Sequence, residues 1–150
     1  MTDRIEKIVD LNASQARVWA AISDYREFGT WFQVRLDQPF KAGQISTGAI
    51  ASPGYETFKW LARVEEVVPE KRLAFRWFHP DKGSTESNLD NPSTLVSFDL
   101  EPKGQGTRLT ITESGFEALP DGLRAEVMRS NTEGWSIQGK QIAAYLDGQA

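Results

Sequence analysis

LRAEVMRSNTEGWSIQGKQIAAYL, residues 123–146, is a run without proline whose only glycines are Gly134 and Gly139. Leu123, Val127, Trp135, Ile142 and Leu146 return to one side of a helix, while Arg124, Glu126, Arg129, Glu133 and Lys140 occupy the rest. The spacing predicts a helix of ~22 residues, ~33 Å long, enough to cross a small domain. Everything before it reads as short strands, each with one apolar face in need of a cover. The expected architecture is a curved antiparallel sheet wrapped around this terminal helix.

Working back from that helix, residues 107–114 alternate with Leu109 and Ile111 inward, and 103–106 (KGQG) make a hairpin turn to 94–101, whose inward set is Val96, Phe98 and Leu100. A polar loop over 81–92 precedes it. Residues 73–78 place Leu73, Phe75 and Trp77 on one face, and 56–68 alternate Phe58, Trp60, Ala62 and Val64 against charged or outward residues. A strand over 44–50 lies further upstream. Ser14 is a candidate N-cap for a helix through Ile22, and Asp24 for a second short helix holding Phe28, Trp31 and Phe32, loosened by Gly29. Residues 4–11 form the first strand. Strand, two helices, a run of strands and one long helix make an α+β domain spanning residues 1–150.

The two-residue period extends each inward face past its obvious hydrophobes. After Trp77 the next inward position is His79; after Ile111 it is Glu113. On the helix, Trp135 shares its side with Asn131, Gln138 and Ile142. The interior thus gathers one histidine, one carboxylate and two amides among Trp60, Phe75, Trp77, Phe98 and Trp135.

The totals narrow the function classes. At 150 residues with no cysteine, the chain must be held by packing rather than disulfides, a composition compatible with a cytoplasmic location. Seventeen basic against twenty-one acidic residues give net charge −4, which argues against a nucleic-acid binder. No apolar run approaches the ~18 residues of a membrane span. One histidine without cysteine leaves a transition-metal site unsupported, and neither a phosphate-cradling loop nor a dinucleotide fingerprint is present, so no metal and no cofactor is expected. Five Trp, eight Phe and three Tyr are a heavy aromatic load, which a bulky core or a ring-lined pocket would each explain.

Residues 14–19 (SQARVW), Trp31-Phe32, 106–116 (GTRLTITESGF) and 131–135 (NTEGW) resemble the bacterial family named after the activator of the heat-shock protein 90 ATPase, within the START-like (SRPBCC) superfamily. The resemblance runs in order over nearly the whole chain. It implies a helix-grip fold around a deep apolar cavity, in a superfamily of lipid and hormone binders and aromatase/cyclases. Helix positions usually leucine in relatives are here Gln138 and, on the next turn, Gln141. A Gln138 facing the cavity needs a partner, since an unpaired buried amide costs ~1–3 kcal/mol; a ligand with a polar group, or water, would supply one.

Three functional readings follow. The first is a binding protein for a small apolar, aromatic ligand, with Trp60, Phe75, Trp77, Phe98, Ile111 and Trp135 as walls and His79, Glu113 and Gln138 as polar contacts. The second is a cyclase or dehydratase using His79 and Glu113 as an acid–base pair; in the plainer alternative His79 is half-exposed and Glu113 bonds a neighbouring backbone group or arginine. The third is an interaction module touching a chaperone or serving a stress system, which calls for an exposed apolar patch. Gly134 beside Trp135 either brings helix and sheet close or opens an entrance, with close packing preferred. The oligomeric state is not legible.

Overall fold

The computed structural model describes residues 4–80 and 84–148. Strand β1 (Ile5–Leu11) ends where Ser14 accepts the Arg17 amide on its hydroxyl at 3.1 Å, opening helix α1 (Gln15–Ser23). Asp24 repeats the device with the Arg26 amide at 2.9 Å and opens α2 (Tyr25–Phe32). Gln33 then adopts a left-handed conformation (φ 67°) and turns the chain back sharply. A Cβ on Gly29 would lie 2.5 Å from the Val34 carbonyl oxygen, so glycine is there because the returning chain leaves no room, not to loosen the helix.

Strands β2 (Val34–Leu36), β3 (Ile45–Ile50), β4 (Lys59–Val68), β5 (Arg72–Phe78), β6 (Ser93–Lys103) and β7 (Gly106–Ser114) follow. A 3-10 turn (Phe116–Ala118) leads to α3 (Asp121–Asp147), whose 27 residues extend about 40 Å. The seven strands form one sheet in the order β1-β7-β6-β5-β4-β3-β2, each neighbour antiparallel. Consecutive strands β1 and β2 therefore occupy opposite edges, and α1 and α2 carry the chain between them.

Two elements depart from the sequence expectation. β2 is an additional edge strand, only three residues long. β4 starts at Lys59, and Phe58 is 37% exposed in the preceding turn, where its amide bonds the Tyr55 carbonyl and its ring faces that of Tyr55 at 6.0 Å. Of the polar loop over 81–92, residues 81–83 lie outside the described residues.

The core between sheet and helices is filled by rings. Phe28 lies 4.9 Å from both Trp31 and Phe32, Trp60 lies 5.3 Å from Phe75, and Phe98 reaches Trp135 at 5.8 Å. Buried indoles keep their hydrogen bonds: Trp31 Nε1 donates to the Ala21 carbonyl at 2.8 Å and Trp60 Nε1 to Ser46 Oγ at 3.0 Å. Helix α3 buries Trp135, Ile142 and Leu146, and it packs closely on the sheet at Gly139, where a Cβ would stand 3.0 Å from Val9 Cγ2.

Candidate ligand-binding site

At the end of β5 the inward face passes from Trp77 to His79, and the same strand-end layer receives Thr94 from β6 and Glu113 from β7. Register explains the meeting: Trp77 pairs with Thr94, and Val96 with Glu113. Glu113 is wholly buried and His79 is 7% exposed. Thr94 bridges them. Its hydroxyl donates to Glu113 Oε2 at 2.5 Å and accepts from His79 Nε2 at 2.8 Å, while His79 Nε2 and Glu113 Oε2 stand 3.6 Å apart. A threonine hydroxyl has one proton, so with that proton on Glu113 the histidine nitrogen is the donor.

Helix α3 closes the network from above. Trp135 Nε1 donates to Glu113 Oε1 at 2.8 Å, and Asn131 Nδ2 donates to Oε1 and Oε2 at 3.0 and 3.2 Å. Every one of these partners is a donor, the set that satisfies a carboxylate, which accepts at both oxygens. Among the described residues no arginine or lysine is paired with it. The plainer expectation for the pair, a half-exposed histidine and a carboxylate on backbone or arginine, is thereby corrected: both are interior, and they meet through a hydroxyl.

Above this network a pocket of about 60 Å³ is lined by Phe32, Trp77, Asn131, Gly134, Trp135 and Gln138. The three rings form a corner, with centroids 6.3 Å (Phe32–Trp77), 5.9 Å (Trp77–Trp135) and 6.0 Å (Phe32–Trp135) apart at interplanar angles of 71°, 62° and 62°. The pocket shares Phe32, Asn131, Gly134 and Gln138 with an outer cleft of about 340 Å³ that also touches Tyr55, Glu133 and Ile137. Gly134 belongs to this mouth. A Cβ there would meet nothing within 4 Å, so the preference for close packing at Gly134 is overturned; close packing falls at Gly139 instead.

Of the residues singled out from sequence, Trp77, Trp135 and Gln138 line the pocket. Trp60, Phe75, Phe98 and Ile111 are fully enclosed core, 1% exposed or less, and the deep apolar cavity they were to surround is taken up by their own rings. His79 and Glu113 lie beneath the pocket and form no part of its wall. Gln138 needs no ligand: its Nε2 donates to the Phe32 carbonyl at 3.3 Å, and Gln141 Nε2 donates to the Trp31 carbonyl at 2.6 Å and to Gln138 Oε1 at 2.9 Å. The two glutamines thus cap the orphan carbonyls at the end of α2. Thr94 was within reach of the sequence, since counting back by two from Val96 makes it inward. Helical spacing from Trp135 places Asn131 in the interior though not among the expected ligand contacts, Gly134 is weighed in sequence as an entrance, and Phe32 reads only as part of the second short helix.

Among the described residues no group of three or more His, Cys, Asp or Glu side chains is placed to hold a metal ion, and no helix is long and apolar enough to cross a membrane.

One long C-terminal helix gripped by a seven-stranded antiparallel sheet, with two short helices after the first strand, defines a helix-grip protein of the START-like (SRPBCC) class. The chain belongs to the Activator of Hsp90 ATPase homolog 1-like protein family, whose match runs over residues 12–147. Solved structures carry the same fold. DynU16, a protein of the dynemicin biosynthetic locus, superposes with TM-score 0.76 at 24% identity over 98% of this chain and 48% of its own. The chain thus spans about half the length of DynU16. MLL2253 from Mesorhizobium loti gives 0.78 at 19% identity, covering 98% of both chains. The Aha1 dimer from Colwellia psychrerythraea gives 0.68 at 17%, covering 93% of this chain and 92% of that one. At these identities the likeness is one of fold. No curated protein sequence matches the chain.

Proposed function

We propose that the protein binds a small, largely apolar, aromatic ligand at the mouth formed by Phe32, Trp77 and Trp135. The observation that carries this is the pocket itself: three ring walls drawn from α2, β5 and α3, meeting where α3 has no side chain at Gly134. Ring walls with one or two amides are the usual make-up of a small-molecule site. The pocket, at about 60 Å³, is far smaller than the ~300–1,000 Å³ of a drug-sized site. It suits the end of a ligand whose body lies in the outer cleft.

A binding role is supported over turnover by the position of His79 and Glu113. A general acid or base must come within ~3 Å of the proton it moves, and here Trp77, Trp135 and Asn131 stand between the pair and the pocket. The test is a titration of small aromatic compounds followed by intrinsic tryptophan emission, with native mass spectrometry of the freshly purified protein. Trp77→Ala should remove binding while the protein stays folded. Undiminished binding in that variant would sink the assignment.

A further inference from the structure

The polar side chains that line this pocket beside Trp135 are two amides, Asn131 and Gln138. Asn131 turns Nδ2 towards Glu113, so the group it offers a ligand is Oδ1, to which no described residue donates. Gln138 uses Nε2 on the Phe32 carbonyl and presents Oε1, already shared with Gln141. Asn131 Oδ1 is therefore the acceptor left open to a ligand. The charges agree. Glu113 lies one side chain beneath the pocket, wholly buried, with no arginine or lysine among the described residues against it; Glu133 lines the outer cleft, and no basic residue among those described lines either space. Three aromatic rings complete the set, and the π face of a ring attracts cations. An anionic ligand would find carboxylates nearby and, among the described residues, no basic side chain lining the pocket or the cleft to receive it.

We propose that the ligand's polar end is a protonated amine, an ammonium group on a small aromatic or apolar body, seated among Phe32, Trp77 and Trp135 and bonded to Asn131 Oδ1. This deepens the small-ligand reading and rests on it. The ammonium exchanges its hydration for ring faces, an acceptor and the field of a carboxylate in a partly water-excluded site, where such attraction exceeds its value in bulk water. The pocket's volume of about 60 Å³ suits a head group of that size better than a whole ring.

The test is a charge ladder on one phenyl body: phenethylamine, phenethyl alcohol and hydrocinnamate, each titrated into the full chain by calorimetry and tryptophan emission at neutral pH. Phenethylamine is expected to bind about tenfold or more tighter than the alcohol, and hydrocinnamate not detectably. In Glu113→Gln, which keeps shape and an acceptor, the preference for amine over alcohol should fall by about tenfold. Equal or tighter binding of the alcohol or the acid overturns the ammonium assignment and leaves the small-ligand reading standing. An undiminished preference in a folded Glu113→Gln removes Glu113 from it, and the ladder on the unaltered protein needs no variant to fold. Silence from all three compounds, with Trp77→Ala indistinguishable from the parent, overturns both readings.

Discussion

Trp135 Nε1 donates to Glu113 Oε1 at 2.8 Å, joining the middle of the terminal helix to the last inward position of β7. The bond makes the carboxylate an anchor for the helix, and it predicts an asymmetry between two substitutions. Glu113→Ala strands the Trp135 indole, the Asn131 amide and the Thr94 hydroxyl together, and should cost about 3 kcal/mol or more in urea unfolding. Glu113→Gln leaves Oε1 able to accept from Trp135 and should cost clearly less. Equal losses would mean that volume, not the hydrogen bonds, matters at this position.

Two glycines one helical turn and a half apart on α3 should respond oppositely to alanine. At Gly134 a Cβ touches nothing, so Gly134→Ala gains helix propensity and should stabilise by about 0.5–1 kcal/mol, roughly 1–4 °C in Tm. At Gly139 the same Cβ presses Val9 Cγ2 at 3.0 Å, and the gain should vanish or reverse. Calorimetric melting of both variants decides this. Gly134→Leu, which fills the mouth, should also abolish ligand binding.

The rings separate into core and wall. Trp60 is 1% exposed and bonded to Ser46 Oγ, so Trp60→Ala should cost about 3–5 kcal/mol. Trp77 is only partly buried, and Trp77→Ala should cost less than Trp60→Ala while removing binding. Denaturant midpoints read beside ligand titration would show whether the two roles are as distinct as the geometry makes them.

The pH dependence of stability should show two surface contributions of opposite sign. Arg108 Nε donates to Asp10 at 2.9 Å across β1 and β7, and that hydrogen bond holds the Asp10 carboxyl below its ordinary 3.8. The folded value is the lower one, so the contribution is present above pH 3.8 and is lost as pH falls through the folded value. Asp10→Asn should flatten that acid limb. Burial, and then the bond to Glu27, raises Tyr145 above 10.0, so its contribution is present below pH 10.0 and is lost as pH rises through the raised value. Tyr145→Phe should flatten the alkaline limb. Urea midpoints across both ranges, with unchanged limbs in the variants, would show that these groups are not felt.

The fold was legible because its signals are periodic. The two-residue count placed Glu113 and His79 inside, and the 3.6-residue count placed Trp135 over them. Parity says which side chains face inward but not whether they leave space between them, and so the ring-lined cavity expected around Trp60, Phe75 and Phe98 proved to be the rings' own volume. Val34 to Leu36 was unreadable as a strand, since three residues hold no period. The glutamines misled for another reason: the partner of Gln138 is a carbonyl of α2, more than a hundred residues away, and only the folded chain brings an orphaned helix end to it. Thr94 was missed by stopping the count one step short.

Gly134 also says something about how such a protein can change. A helix position that borders the mouth of a pocket and touches no neighbour can vary in size without disturbing the packing of anything else. Access to the site can therefore drift by single substitutions that folding hardly registers. In a fold whose core is built from interlocked rings, where a change of volume is felt at once, this uncrowded position at the mouth gives selection a place to narrow, widen or seal the entrance separately from the stability of the scaffold.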